Sequence, residues 1–156
     1  MTTLDRVLLA GGGTAGHVSP LLATAEEITR RHPDAVVTAV GSPGGLEERL
    51  VPERGFALAF VPKVAFPRRP NGAALRFPGR FAGTLKAVRT LLRERRIDVV
   101  AGYGGYVCPP AYLAAAAQRL PVVIHEANRR PGLANRLGAR RAAAVLTAFD
   151  GSTLPG

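Results

Sequence analysis

Short apolar runs alternate along the chain with longer stretches in which apolar residues recur every three or four positions. The short runs are rich in valine, leucine and isoleucine, which is typical of strands buried on both faces. Their alternation with helical stretches predicts a parallel sheet with helices on both faces, a Rossmann-like α/β fold. The predicted strands are 7–10, 36–40, 58–61, 98–101, 122–124 and 144–147, and the predicted helices are 18–31, 46–53, 80–95, 110–118 and 133–141.

The length of 156 residues suffices for one domain with a substantial core. We expect this domain over residues 1–148 and the start of a linker over 149–156, where turn residues replace the apolar pattern. No apolar run reaches the ~18 residues that a membrane-spanning helix needs. The single cysteine, Cys108, cannot form an internal disulfide, which fits a reducing cytoplasm.

The positive charge of the chain is concentrated in one segment. The chain has 21 lysines and arginines against 11 acidic residues, and ten of those bases but only one acid, Glu94, fall between Lys63 and Arg96. Such a segment favours a polyanionic partner, either membrane lipid or nucleic acid. Its first part, Lys63–Gly79, contains three prolines and is predicted to be a long loop that enters a helix.

The first glycine loop, residues 11–16, follows a predicted strand and precedes a predicted helix. Its glycines match the G-x-G-x-x-G spacing of dinucleotide sites, and such a loop binds an anion with backbone N–H groups. A dinucleotide site also needs an acid at the end of the second strand, and Asp34 lies at the wrong end of that strand. A P-loop needs a lysine where His17 stands. A different phosphate, or a tight turn without a ligand, therefore remains open.

A second glycine-rich stretch, "AGYGGYVCPP" at residues 101–110, also follows a predicted strand and precedes a predicted helix; we call its residues 102–107 the second glycine loop. Parallel strands place their carboxyl ends at one edge of the sheet, so both loops should border one crevice. Two such loops indicate a ligand with two phosphates or a large ligand. The alternative is a glycine turn around a buried Tyr103 or Tyr106.

Polar residues follow the fifth predicted strand in the stretch "HEANRRPGLAN", residues 125–135, and we call its residues 125–132 the HEAN loop. His125 and Glu126 stand directly at the strand end, where catalytic groups collect in this architecture. Asn128 and Asn135 carry amides that can bind sugar hydroxyls, or that simply cap turns and the next helix. The three histidines are too dispersed to predict a metal site, and there is no cysteine pair.

Aromatic and aliphatic residues are interleaved with arginines around the start of the long basic helix. This arrangement suits a peripheral site on an anionic membrane. The alternative is an ordinary solvated helix face, which explains the preceding loop poorly. We call the group the basic–aromatic patch; it comprises Phe66, Arg68, Arg69, Leu75, Arg76, Phe77, Arg80 and Phe81.

Three stretches in order, "GGGTAGHVSPLLATAEE", "GYGGYVCPP" and "HEANRRPGLAN", resemble the N-terminal half of the MurG family of peptidoglycan glycosyltransferases. The resemblance covers essentially the whole chain. It implies the N-terminal half of a GT-B fold, with a C-terminal donor domain absent from this chain. The sequence departs from the family pattern at Ala15, where glycine is usual, at Ala127, where glutamine is usual, and at the "VCPP" run, residues 107–110, where small residues are usual before proline.

The resemblance also implies a reaction. N-acetylglucosamine would pass from its UDP carrier to the C4 hydroxyl of an N-acetylmuramoyl-pentapeptide linked to undecaprenyl diphosphate, with inversion. Because inversion in one displacement needs one base, His17 is the first candidate and Glu126 is the rival or an orienting group. The acceptor diphosphate and sugar would contact Gly13, Thr14, Ala15, Gly16, Tyr103, Gly104, Gly105 and Tyr106, and the donor sugar would contact Asn128 and Asn135.

The implied setting is peripheral, on the cytoplasmic face of a bacterial membrane. The partners are UDP-N-acetylglucosamine, the lipid-linked acceptor and an anionic membrane surface, with no cofactor and no nucleic acid. Two alternatives stay open: a module that binds acceptor or membrane without catalysis, and a related glycolipid glycosyltransferase. A nucleotide-cofactor oxidoreductase is disfavoured by the missing ribose acid.

Overall fold

Six parallel strands form one sheet in the order β3-β2-β1-β4-β5-β6. The computed structural model describes residues 5–67, 69, 72–152 and 154. The predicted parallel sheet with intervening helices is confirmed. The strands are β1 (Arg6–Gly11), β2 (Val36–Gly41), β3 (Ala57–Phe60), β4 (Val99–Gly104), β5 (Val122–Glu126) and β6 (Ala144–Thr147), and the helices are α1 (Ala15–Arg31), α2 (Glu47–Glu53), α3 (Gly72–Glu94), α4 (Cys108–Ala117) and α5 (Leu133–Ala139).

Each face of the sheet carries its own buried cluster, because successive side chains of a strand point to opposite faces. Val7 and Leu9 of β1 pack with α1 and α2 on one face. Leu8 and Ala10 pack with α3, α4 and α5 on the other face. The central strands are therefore apolar on both sides, which explains why they appear in the sequence as continuous apolar runs.

The strand order places a topological switch point between β1 and β4. Chain connections run outward from β1 to one edge of the sheet and from β4 to the other. In open α/β sheets of this kind the crevice outside the carboxyl ends of the two central strands is the usual ligand site. Both glycine loops leave the sheet at this crevice, one from β1 and one from β4.

The long basic helix begins earlier than the sequence predicts. The sequence predicts a loop as far as Gly79, but α3 already begins at Gly72 and includes Pro78. Phe77 and Phe81, four residues apart on α3, pack against Phe66 with ring centroids 5.1 and 6.1 Å away. This aromatic cluster offsets the backbone hydrogen bond that Pro78 cannot donate. No helix in the described part of the chain is both long enough and apolar enough to cross a membrane.

Candidate functional site

The His17 imidazole is held in one tautomer by the first glycine loop. His17 lies in the first turn of α1, and its Nδ1 is 3.0 Å from the carbonyl oxygen of Gly12. A carbonyl oxygen only accepts hydrogen bonds, so Nδ1 carries the proton and donates it. Thr14 Oγ1 lies 3.3 Å from the same nitrogen. In the neutral ring the lone pair is therefore on Nε2, the atom that can act as a hydrogen-bond acceptor.

The two glycine loops are in direct contact at the switch point. Gly104 and Gly105 have φ angles of +111° and +96°, a backbone region that residues with a side chain rarely adopt. A Cβ on Gly104 would lie 2.6 Å from His17 Nε2, and one on Gly105 would lie 2.6 Å from the carbonyl oxygen of Gly12. Both positions therefore require glycine, for the backbone conformation and for the close approach of the loops.

A cavity of about 540 Å³ opens between the second glycine loop, the HEAN loop and the segment before α3. This volume is within the range of pockets that hold small ligands. The cavity brings together residues from all three predicted motifs, including His17. It is lined by His17, Phe66, Pro67, Gly104, Gly105, Tyr106, Pro109, Glu126, Gly132, Leu133, Ala134 and Asn135.

Glu126 organises the HEAN loop and has little capacity left as a base. Its side chain is 1% exposed. One carboxylate oxygen accepts the backbone N–H and the side-chain amide of Asn128, each at 2.8 Å. The other accepts the N–H of Gly132 and the amide of Asn135, each at 3.0 Å. Burial by itself raises the pKa of Glu126, but these hydrogen bonds outweigh it and hold the pKa below its usual value.

The two asparagines predicted to bind a donor sugar differ in their availability. Asn135 is buried, accepts a hydrogen bond from the Tyr112 hydroxyl at 2.8 Å and donates to Glu126 and to the His125 carbonyl. Both of its amide hydrogens are used, so a structural role fits Asn135 better than a sugar contact. Asn128 is exposed and only part of its amide is engaged, so it keeps groups that a ligand can reach.

The two tyrosines of the second glycine loop lie on different sides of it. Tyr103 is 3% exposed and packs in the α1 face of the core, and burial raises its pKa to about 12. Its hydroxyl is inside the fold, so the predicted substrate contact is not supported for this side chain. Tyr106 is 43% exposed and lines the cavity. The ammonium of Lys63 lies 5.3 Å from the Tyr106 ring centroid, which places a cation beside the first glycine loop.

The first glycine loop offers its backbone to an anion at the start of α1. Thr14, Ala15 and Gly16 are exposed, and the first turn of α1 contains no acidic residue. The first N–H groups of a helix have no partner within the helix, so they favour an anion here. The N–H of Gly13 is already used, because it donates to a carboxylate oxygen of Glu47 at 2.9 Å.

The basic–aromatic patch borders the cavity through Phe66, which also packs against Phe77 and Phe81. Leu75 is 87% exposed at the start of α3. Arg69, Arg76 and Arg80 are also exposed. Arg68 lies outside the described residues. The three rings of the patch pack against one another instead of projecting singly from a loop.

Three residues to which the sequence analysis gave no role in the site connect the motifs. Cys108 Sγ donates to the Ala10 carbonyl at 3.1 Å and accepts from the Gly104 N–H at 3.2 Å, which joins β1 to the second glycine loop. Tyr112 joins α4 to Asn135. Glu47 joins the first glycine loop to the β2–α2 connection. Only Glu47 has a sequence signal: three glycines, Gly41, Gly44 and Gly45, stand just before it.

One family model matches nearly the whole chain, including the fold and the three motifs. The glycosyltransferase family 28 N-terminal domain model matches residues 7–147. The chain belongs to this family. The match runs from β1 to the end of β6, so the glycine loops and the HEAN loop all lie within the family 28 domain.

Curated relatives of this family 28 domain are much longer than the chain. A Clavibacter michiganensis protein is 56% identical over 147 residues, covering 94% of this chain and 40% of that protein. A Paenarthrobacter aurescens protein is 54% identical over 150 residues, covering 96% and 40%. Both are named UDP-N-acetylglucosamine–N-acetylmuramyl-(pentapeptide) pyrophosphoryl-undecaprenol N-acetylglucosamine transferase. The chain thus spans about two fifths of the length of these relatives.

The solved structures agree with the sequence comparison. The crystal structure of Acinetobacter baumannii MurG matches 95% of this chain and 43% of that protein, with a TM-score of 0.83 and 31% identity. The predicted resemblance to the N-terminal part of MurG is thereby confirmed. A Listeria monocytogenes structure matches with a TM-score of 0.67 at 13% identity, which shows a shared fold only.

Proposed function

We propose that this chain is the acceptor-binding half of an inverting glycosyltransferase. The enzyme would transfer N-acetylglucosamine from UDP-N-acetylglucosamine to the C4 hydroxyl of undecaprenyl-diphosphate-linked N-acetylmuramoyl-pentapeptide. The observation that carries the proposal is the His17 imidazole, whose Nδ1–H is committed to the Gly12 carbonyl while the ring lines the cavity beside the start of α1. A base and an anion site are thus adjacent. The names of the relatives give the substrates.

In the proposed step the acceptor diphosphate lies at the exposed backbone of Thr14–Gly16. The C4 hydroxyl donates a hydrogen bond to His17 Nε2. As the C4 oxygen attacks the anomeric carbon, His17 takes the hydroxyl proton, and the bond from that carbon to the UDP diphosphate oxygen breaks with its electron pair. The Gly12 carbonyl stabilises the imidazolium that forms. Attack opposite the leaving group inverts the anomeric carbon.

Glu126 acts in this account as a positioning residue and not as the base. Its pKa is lowered, and four N–H groups already donate hydrogen bonds to its carboxylate, so it is a poor proton acceptor. It fixes the HEAN loop, whose Asn128 is exposed and is the better of the two predicted donor-sugar contacts. The donor nucleotide would be held by a region corresponding to the three fifths of the relatives that this chain does not match.

The basic–aromatic patch is proposed to seat the protein peripherally on the cytoplasmic face of a bacterial membrane. The acceptor is anchored there by its polyprenyl chain, so its diphosphate lies at the bilayer surface. Phe66 belongs to both the patch and the cavity wall, which supports delivery of the acceptor along this side. Exposed Leu75 would contact acyl chains, and the exposed arginines of the patch would contact anionic headgroups.

A chimera tests the transferase proposal. In this chimera the chain replaces the matched 147-residue segment of the Clavibacter michiganensis relative. We expect the chimera to form a β-linked disaccharide on the lipid-linked acceptor from UDP-N-acetylglucosamine, as the parent relative does in the same assay. If a folded chimera binds the acceptor but forms no disaccharide, the chain is a binding module. If it uses a different glycolipid acceptor instead, the proposed substrate is wrong.

A further inference from the structure

Glu47 is a carboxylate buried inside the glycine-rich edge of the sheet. Its side chain is 2% exposed, although it lies in the first turn of α2. One carboxylate oxygen accepts the N–H of Gly13 at 2.9 Å, and the other accepts the N–H of Ser42 at 3.1 Å. One side chain therefore ties the first glycine loop to the end of β2.

Three glycines form the space that the Glu47 side chain occupies. A Cβ on Gly12, Gly41 or Gly45 would overlap the side chain of Glu47. None of these three glycines needs a positive φ, so their lack of a side chain serves this close approach. The middle glycine of "GGG" is thus explained by a carboxylate of the protein itself, and not by a ligand.

The site requires a carboxylate and not an amide. Both oxygens of Glu47 face backbone N–H donors. A glutamine would point its own NH₂ group at one of these donors, which would lose a hydrogen bond and set two donors against each other. Because the carboxylate already accepts two N–H groups and is buried, it is also not available as the ribose-binding acid of a dinucleotide site.

Gly12 transmits the position of Glu47 to the imidazole of His17. The Gly12 backbone packs against the Glu47 carboxylate on one side. Its carbonyl oxygen accepts the His17 Nδ1–H at 3.0 Å and packs against Gly105. Nothing but this carbonyl and Thr14 is within hydrogen-bond distance of Nδ1 among the described residues.

We propose that Glu47 is a positioning residue that sets the tautomer and orientation of His17 through Gly12 and Gly13. The catalytic meaning of this role rests on the proposed function of His17, but the structural effect does not. Loss of the carboxylate frees the first glycine loop, so that the Gly12 carbonyl no longer selects the Nδ1–H form of the ring.

The test is nuclear magnetic resonance of the imidazole nitrogens of the 156-residue chain, with Glu47→Gln compared with Glu48→Gln. Glu48 is the matched control, since it is exposed, adjacent and accepts the Gly44 N–H at 2.7 Å. In Glu47→Gln we expect the ratio of the Nδ1–H to the Nε2–H form of His17 to fall about 10-fold, the effect of one ordinary hydrogen bond. His32 and His125 should keep their spectra, and Glu48→Gln should leave all three histidines unchanged.

An unchanged His17 tautomer in folded Glu47→Gln would overturn the proposal, and so would an equal change at all three histidines. Should Glu47→Gln not fold, hydrogen exchange of the unmodified chain decides. The Gly13 and Ser42 amides should then be protected about 10-fold or more over an unbonded loop amide, and free exchange at both would overturn the proposal. Neither measurement depends on glycosyl transfer. The Glu47 proposal can therefore fail while the transferase proposal holds, and the reverse.

Discussion

Replacing His17 with alanine in the chimera should lower kcat by about 10²–10⁴-fold, the usual contribution of a positioned general base. The substitution removes the group whose Nε2 would accept the C4 proton. The side chain is only partly buried and packs on the backbone of Gly104, so the fold should survive its loss. Steady-state kinetics with the lipid-linked acceptor and UDP-N-acetylglucosamine give the measurement, and circular dichroism checks the fold.

Two further variants separate the base from its neighbours. His32→Ala removes an exposed histidine just after α1 and should leave kcat unchanged. Glu126→Ala removes the acceptor for two backbone and two side-chain N–H groups, so it should impair folding of the HEAN loop as well as activity. If His17→Ala is near the parent in kcat while a folded Glu126→Ala is inactive, Glu126 is the base.

Replacing Arg69, Arg76 and Arg80 with serine should release the chain from anionic membranes. Each basic residue near such a surface contributes about 1 kcal/mol. Three charges then account for about 3 kcal/mol, on the order of a 100-fold loss in partitioning. Sedimentation with liposomes of increasing anionic lipid content measures the effect. Binding of the unmodified chain should also fall as salt is added, because screening limits the reach of each charge to about 8 Å at physiological ionic strength.

The matched control removes the same charge from the opposite edge of the sheet. Arg95, Arg140 and Arg141 are exposed and follow the carboxyl ends of α3 and α5, away from the cavity. Replacing these three with serine should leave most of the membrane binding intact. If both triple variants lose the same amount of membrane binding, the net charge of the chain determines the binding, and the position of the patch does not. If the Arg69, Arg76 and Arg80 variant sediments like the parent, the patch is an ordinary solvated helix face.

The strands and the crevice could be predicted from the sequence because buried parallel strands and strand–helix glycine turns leave strong local patterns. The six apolar runs correspond to β1–β6. His17 could be found because it directly follows the glycine loop that the family resemblance assigns to the acceptor. The start of α3 could not be found, because prolines and glycines favour a loop locally while the contact between Phe66 and Phe77 forms only in the folded chain.

The buried polar links escaped sequence analysis because they join residues far apart along the chain. Glu47 contacts Gly13 across 34 positions, and its residue type and helical setting predict an exposed side chain. Asn135 resembles a ligand contact in the sequence, but Tyr112 on another helix occupies its amide oxygen. Tyr103 and Tyr106 are indistinguishable by pattern, and only the course of the second glycine loop buries one and exposes the other.

Binding of the two substrates to the unmodified 156-residue chain tests the central claim most directly. Isothermal titration would compare a water-soluble, short-chain polyprenyl-diphosphate N-acetylmuramoyl-pentapeptide with UDP-N-acetylglucosamine. The account predicts that the acceptor analogue binds, that inorganic diphosphate competes with it, and that His17→Ala retains this binding because the diphosphate contacts the backbone of Thr14–Gly16. Tight binding of UDP-N-acetylglucosamine with no binding of the acceptor analogue would contradict the assignment of this chain as the acceptor half.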